Sequence, residues 1–339
     1  MRVKSGAAAC VLIAACLVVG TAGATTSYAL TDLGASEWAF DVNNLGQVVG
    51  PYNPDVAYPS NARVINDHTE VAWDTLRGDH AFVWSGGVEA ELGTLGGAWV
   101  TVHDINNLCR VVGGSSTASG NYMHPYVWEG GVMTELAMLP GTYWGVATAI
   151  NDLGCIAGVC GTYPTTHGFL LRNGKMTDLG VIGDTAAGVL GMNERCQIVG
   201  ASTLSGAMRP FLWENGVMRD LGSLGGYGEA NDINELGQIV GRSQVQVVGG
   251  AFHAFLWEGG TMFDLNSLVS LDPGWVLTSA QAINDHGWIV GEMVDPAGGE
   301  HAYLLTPVPE PGALMLTGLG VVALLLRARR RAVAREGIE

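Results

Sequence analysis

Six basic residues recur along the 339-residue chain at near-constant spacing: His80, His124, His167, Arg209, His253 and His301, at intervals of 44, 43, 42, 44 and 48. An acid lies eleven residues after each of the first five, at Glu91, Glu135, Asp178, Asp220 and Asp264; Asp32, near the N-terminus, is left for His301. Histidine beside a carboxylate can ligate a metal, exchange protons or form a charge pair. Arg209 discriminates among these, because a guanidinium stays protonated and cannot coordinate a metal. Charge pairing is therefore the expectation: with a two-residue hairpin loop, His80 faces Glu91, His124 faces Glu135 and Arg209 faces Asp220.

A second recurrent set is aromatic. Trp38, Trp99, Trp144, Tyr227 and Trp275 stand in a Gly-rich link in five of six units. Such rings either wedge neighbouring units together, since Trp buries a large apolar area, or stack on the apolar faces of sugars while nearby Asp and Asn accept hydroxyl hydrogen bonds. These five are the candidate ligand-binding residues.

Nothing comparable marks a catalytic centre. The chain has no His-Glu-x-x-His, Gly-x-Ser-x-Gly or phosphate-binding Gly-rich loop. Paired carboxylates for glycan cleavage need not be adjacent in sequence, so a glycan hydrolase or lyase is the alternative, with Asp67, His68, Glu70 and Asp74 the candidates because the segment Pro51 to Asp79 reads as an insertion that breaks the repeat. Asn-x-x-Gly elements such as Asn234-Glu-Leu-Gly237 lack the acid ladder of a calcium loop and read as turns. No cofactor or metal is expected, and calcium has no supporting motif.

Cys109, Cys155, Cys160 and Cys196 remain after removal of an export signal. Four cysteines allow three pairings; bridges between neighbouring units are the expectation, and the Cys-x4-Cys spacing of Cys155 and Cys160 suits zinc poorly.

What positions these residues is a repeat of about 43 residues: His-Ala-Phe-Leu-Trp, a Glu-Gly-Gly turn, an apolar segment ending in Asp-Leu-Gly, the Gly-rich link, Ile-Asn, then Gly-Gln-Ile-Val-Gly. Four short apolar runs per unit, separated by Gly, Asn or Asp, indicate four β-strands, the size of a propeller blade. Tyr28 to Gly34 matches only the last segment of a unit, and His301 to Leu305 only its partner. The expectation is an all-β, six-bladed propeller over residues 25–306, closed by N-terminal and C-terminal strands sharing one blade and counted from Asn43, Asn106, Asn151, Asn193, Asn234 and Asn284. A closed ring leaves no free sheet edge.

Arg2 and Lys4, an apolar run and Ala22-Gly-Ala24 predict a signal peptide over residues 1–24. Residues 307–339 follow another pattern: Val308-Pro-Glu-Pro311, an apolar run from Ala313 to Leu326, then Arg327, Arg329, Arg330 and Arg331. Fourteen apolar residues form a short membrane helix, below the roughly 17 to 25 that span comfortably, and the basic cluster places the body outside. This order resembles the PEP-CTERM sorting signal of Gram-negative bacteria. The resemblance implies that Pro309, Glu310 and Pro311 are read by an exosortase, with transient membrane anchoring, then processing and release or surface attachment. The repeat body resembles the HAF repeats of bacterial extracellular proteins, on His80-Ala-Phe82 and His253-Ala-Phe255; that resemblance implies no activity.

Residues 25–306 hold 9 Lys or Arg against 29 Asp or Glu. So acidic a body repels phosphate backbones, which excludes nucleic acid as a partner. The combined expectation is a non-enzymatic surface or extracellular-matrix protein that binds polysaccharide, with a purely structural biofilm or adhesion protein as the further alternative.

Overall fold

A computed structural model describes residues 26–35, 38–50, 62–162, 164–183, 187–246 and 250–308. The signal peptide, the expected membrane helix, and the sorting residues Pro309, Glu310, Pro311, Arg327, Arg329, Arg330 and Arg331 lie outside them. Among the described residues no helix is long and apolar enough to cross a membrane.

The chain folds as a ring of antiparallel sheets. After β1 (Ser27–Ala35), a two-stranded sheet pairs β2 (Asp41–Val42) with β3 (Val48–Val49). The first four-stranded blade holds β4 (Val64–Ile65), β5 (Val71–Asp74), β6 (Ala81–Ser85) and β7 (Val88–Glu91). The second holds β8 (Gly96–Ile105), β9 (Val111–Thr117), β10 (Gly120–Glu129) and β11 (Val132–Glu135); the third, β12 (Trp144–Ile150), β13 (Ile156–Thr162), β14 (Thr165–Arg172) and β15 (Lys175–Gly180). The fourth holds β16 (Ala187–Met192), β17 (Ile198–Leu204), β18 (Ala207–Glu214) and β19 (Val217–Asp220); the fifth, β20 (Gly228–Ile233), β21 (Ile239–Gln244), β22 (Phe252–Glu258) and β23 (Thr261–Asp264). The sixth holds β24 (Val276–Ile283), β25 (Ile289–Val294) and β26 (Glu300–Val308), and β1 completes it. Ser27 pairs with Val308 and Ala35 with His301, so the ring closes through the first and last strands as the sequence indicates.

The six four-stranded blades are present, and the ring also carries the β2–β3 sheet as a seventh inner position. The segment read as an insertion accounts for this: β4 and β5 are the inner strands of the first blade. Asn66 in the turn between them is equivalent to the six asparagines counted from sequence.

Those seven asparagines tie the ring together. Each Nδ2 donates to the backbone carbonyl of the next: Asn43 to Asn66, Asn66 to Asn106, Asn106 to Asn151, Asn151 to Asn193, Asn193 to Asn234, Asn234 to Asn284, and Asn284 back to Asn43, at 2.9 to 3.1 Å. The Oδ1 atom faces its own turn. In Asn193 it accepts from the N–H groups of Arg195 and Gln197, both at 3.1 Å. The third residue after each asparagine has positive φ: Gly46, Thr69, Cys109, Gly154, Cys196, Gly237 and Gly287.

The repeat motifs then follow from packing. Five inner strands carry a bulge three residues before the asparagine, at His103, Thr148, Leu190, Asn231 and Gln281. The glycine of the second strand meets that inner strand so closely that a Cβ on Gly113, Gly158, Gly200, Gly241 or Gly291 would collide with a carbonyl oxygen. Opposite each glycine in the third strand is the buried aromatic of the His-Ala-Phe element: Tyr126, Phe169, Phe211, Phe255 and Tyr303. The apolar core lies between neighbouring blades; one cluster joins Cys155, Ala157 and Leu170 of the third blade to Val189, Ile198 and Phe211 of the fourth.

Cys155 and Cys196, in successive turns of the asparagine ring, form a disulfide between the third and fourth blades. Cys109 and Cys160 do not pair and remain free thiols; Cys160 sits within β13 rather than in a turn, so it lacks a neighbouring thiol.

Replacing Asn193 by Ala removes one inter-blade bond and strands the buried Gln197 N–H and the part-buried Arg195 N–H, so the unfolding free energy should fall by roughly 2 to 3 kcal/mol. Urea titration checks this, and an unchanged midpoint would mean that the ring does not hold the blades. The Cys155–Cys196 bridge closes a 41-residue separation, for which chain entropy gives about 4 kcal/mol. Reductant should lower the melting temperature of the wild type but leave a Cys155→Ala/Cys196→Gly variant unmoved, glycine being chosen for the positive φ of Cys196.

Candidate functional site

The inner strands all run toward an asparagine turn, five of them from a link between blades, so the ring has a link face and a turn face with a channel between. The five candidate aromatics lie on the link face, Trp99 in the half of β8 remote from its asparagine turn and Trp38, Trp144, Tyr227 and Trp275 at or within three residues before the start of an inner strand. Trp38, Trp99 and Tyr227 stand 45, 47 and 43% exposed. By contrast Trp73, Trp128, Trp213 and Trp257, within blade strands, are buried. Trp144 and Trp275 are half-buried, and Trp275 lies edge-on to the His301 ring at 4.8 Å. The Trp38 indole N–H reaches Glu300 Oε2 at 3.4 Å. Tyr122 and Tyr143, which the sequence reading missed, extend the set: both are exposed and meet edge to face at 4.7 Å where a hairpin of the second blade touches the link to the third.

The recurrent basic residues lie on the same face, at the start of each third strand. All six pairs form: His80–Glu91 and His124–Glu135 at 2.6 Å, His167–Asp178 at 3.1 Å, Arg209–Asp220 at 3.3 Å, His253–Asp264 at 2.7 Å and His301–Asp32 at 3.1 Å. The register differs from direct opposition. Glu91, Glu135 and Asp220 stand across from Phe82, Tyr126 and Phe211, two residues after the basic residue, so each pair is diagonal, within reach of long side chains. The hairpin loops have the expected two residues, and Gly86-Gly87, Gly130-Gly131, Asn173-Gly174, Asn215-Gly216 and Gly259-Gly260 all take the paired positive φ of tight hairpins. The Glu91 hydrogen bond holds the His80 imidazole above its ordinary pKa.

The channel holds a cavity of about 340 Å³ lined by the bulged residues His103, Thr148, Leu190, Asn231 and Gln281. A bulge leaves its residue unpaired and re-aims the side chain, which is why the lining varies while the blade pattern repeats. Of the carboxylates that line it, three stand on inner strands two residues before an asparagine. Asp41 accepts from Val42 and, in the next blade, Ile65; Asp104 from Ile105 and Ile150; Asp232 from Ile233 and Ile283. Each thus staples two neighbouring units. Burial lifts Asp41 to about 6 and Asp232 to about 7, and Asp104 well above the usual carboxylate range, with weaker repulsion from nearby carboxylates added: Asp67 on Asp41, Asp41 and Asp232 on Asp104, Asp41 and Asp285 on Asp232. Burial, then the Arg63 guanidinium, hold His103 down to about 4, so its imidazole is neutral.

On the turn face a second ring lies outside the first. The backbone N–H of Asn44 bonds Asp67, that of Asp67 bonds Asn107, and the circle continues through Asp152, Glu194, Glu235 and Asp285 back to Asn44. Asp67 is therefore a ring position rather than a singular acid. Its neighbours in the supposed insertion are equally engaged: His68 Nδ1 lies 2.8 Å from Asn107 O, Glu70 accepts from Asn66 and Ser85, and Asp74 pairs with Arg63 at 3.1 Å while accepting from the Val102 N–H. Among the described residues no group of three or more His, Cys, Asp and Glu side chains is arranged to hold a metal ion.

A closed ring of blades with a solvent channel and two unlike faces is a β-propeller. Comparisons place its fold and its tail. Residues 307–331 match the PEP-CTERM protein-sorting motif, which points to export to the Gram-negative cell envelope and to recognition by an exosortase during sorting. No curated protein matches the sequence. Among solved structures, the chain is similar to a puromycin hydrolase mutant complexed with PGG (TM-score 0.52, 11% identity, covering 77% of this chain and 47% of that one) and to puromycin hydrolase (0.50, 11%, 83% and 45%). TolB from Acinetobacter baumannii follows at TM-score 0.44 and 9% identity, covering 70% of this chain and 63% of that one. The chain thus spans less than two thirds of each of these three, and at such identities the likeness concerns the fold alone.

The channel carboxylates give a pH dependence with a defined sign. Their folded pKa values exceed the unfolded value near 3.8, so the stability they contribute is fully present below pH 3.8 and is lost as pH rises to about 7. The rises for Asp41 and Asp232 correspond to a loss of about 3 to 4 kcal/mol per carboxylate. Urea unfolding at pH 4.5 and 7.5 should show the decline, with a shallower slope in Asp232→Asn; an equal slope in that variant would refute the assignment.

Proposed function

We propose that the protein is an exosortase-sorted cell-surface or matrix protein that acts by binding rather than catalysis, and that its ligand is a neutral polysaccharide held on the link face. One observation carries this reading: Trp38, Trp99 and Tyr227 are close to half exposed on the link side of the ring, while Trp73, Trp128, Trp213 and Trp257 inside the blades are buried. Aromatics placed only to wedge blades would be covered. Flat, exposed rings suit the apolar faces of pyranose sugars, and the Asp, Glu and His side chains of the six neighbouring pairs supply hydroxyl partners. The acidic body favours a neutral polymer over an anionic one. Trp144 and Trp275, being half-buried, serve chiefly as packing at the edge of this surface. The glycan-enzyme alternative rests on Asp67, His68, Glu70 and Asp74; of its acids, Glu70 and Asp74 have oxygens engaged by Asn66, Ser85, Arg63 and the Val102 N–H, and Asp67 accepts from Asn44 in the turn-face ring.

The test is a panel of neutral and anionic exopolysaccharides presented to the folded protein, with Trp38→Ala/Trp99→Ala alongside and reducing-sugar release followed in parallel. The expected result is salt-insensitive binding to a neutral polymer, weakened by about tenfold or more in the double variant, with no sugar release. Retention of full affinity by the variant, or absence of binding to every polymer, would return the rings to a packing role; sugar release would favour the enzyme.

A further inference from the structure

The turn face differs from the link face in a way the polysaccharide reading does not use. Four of its seven asparagine turns expose a leucine at the second residue after the asparagine, Leu45, Leu108, Leu153 and Leu236, between 55 and 69% accessible, and the other three expose His68, Arg195 and His286 there. Farther from the axis on the same face, the hairpin tips expose Val88, Val132 and Val217. The exposed Trp and Tyr side chains, in contrast, all lie on the link face. Isolated exposed leucines are ordinary, but seven aliphatic tips directed to one side of a ring form a patterned surface.

The position of the chain end says what that surface meets. β26 runs from the link face, where His301 pairs with Asp32, to the turn face, where a Cβ on Gly287 would touch Pro307 at 3.3 Å. The chain therefore leaves at Val308 beside the asparagine turns. The apolar run of the sorting segment begins five residues later, at Ala313, a span of at most about 17 Å. While that run is in a membrane, so short a tether holds the turn face against the bilayer.

We propose that the turn face is a lipid-docking surface: in the anchored form the leucine and valine tips enter the outer interface of a zwitterionic membrane, and the link face points away toward the extracellular polymer. The proposal rests on the sorting reading of residues 307–331. The acids encircling the turns, Asp67, Asp152, Glu194, Glu235 and Asp285, disfavour anionic headgroups, so the surface selects zwitterionic lipid.

The test uses the full chain reconstituted into phosphatidylethanolamine vesicles doped with a photoactivatable acyl chain, with adducts mapped by mass spectrometry. The expected result is adducts in 313–326 and in the turn-face peptides but not in the link-face peptides. A Leu45→Gln/Leu108→Gln/Leu153→Gln/Leu236→Gln variant should lose roughly tenfold of the turn-face adducts and keep those in 313–326. Adducts confined to 313–326, or spread equally over both faces, would overturn the docking surface and leave the anchor standing. Failure of the chain to float with vesicles, with no adduct in 313–326, would overturn the anchor reading and the docking surface with it.

Discussion

The circle of asparagine side chains is the constraint on which the rest of the ring depends. Each amide spends its N–H on the next unit and its oxygen on its own turn, so no inner strand can shift along the channel without leaving buried polar groups unpaired, at a cost of about 1 to 3 kcal/mol each. Closure matters as much as the individual bonds. The link from Asn284 back to Asn43 joins residues 241 apart in sequence, so the last blade meets the first at the channel as well as through β1 and β26. With the inner turns fixed at this radius, the inner strands converge, the bulges take up the extra residue, and only glycine fits in the second strand where it meets the bulged backbone.

That chain of causes explains which parts of the fold were legible in the sequence. The His-Ala-Phe and Gly-Gln-Ile-Val-Gly elements repeat because the buried aromatic occupies the space over the glycine, and both are needed in the same blade. Tyr28 to Gly34 could be matched to His301 to Leu305 because a strand completing another blade must keep that blade's pattern. The unit around Asn66 was missed for a specific reason: Thr69, with φ of 69°, stands where other units have Gly or Cys, and Trp73 replaces the glycine, stacking on Phe82 at 5.6 Å. The signal that survives there is subtler, an Ile or Val five residues after every asparagine: Val48, Val71, Val111, Ile156, Ile198, Ile239 and Ile289. The diagonal register of the basic–acidic pairs was illegible because loop length fixes pairing only once the first residue of the hairpin loop is known, and Gly86 rather than Ser85 opens it.

The channel shows how a repeated scaffold acquires a non-repeated interior. The blade pattern constrains what lies between blades but not the bulged residue, whose side chain is free to be His103, Thr148, Leu190, Asn231 or Gln281. The staple position two residues before each asparagine is held by carboxylates only at Asp41, Asp104 and Asp232, with Val64, Ala149, Gly191 or Ala282 at the others. No two of the three occupy neighbouring units, which keeps like charges across the channel rather than side by side, and each is compensated by two backbone N–H groups. Even so, burial outweighs those bonds and leaves the carboxyls reluctant to ionise.

The two faces are built from different parts of the repeat and so answer to different demands. Turn tips must satisfy backbone geometry first, which fixes the asparagine and the positive-φ residue but leaves the residue between them free to point outward; an aliphatic there gains nothing within the fold. Links must span variable distances between blades, which leaves room for large rings without disturbing a ladder. Among the described residues, exposed aliphatics occur on the link side too, at Leu33, Leu76 and Met208, but the exposed aromatic rings are confined to it and the leucine and valine tips to the turn face. The proposed docking accounts for this arrangement through the exit of β26 on the turn face, which would hold that face toward the membrane and present the opposite face outward. On the proposed reading, the direction of a single strand thus decides which of the two rims would meet lipid and which would meet polymer.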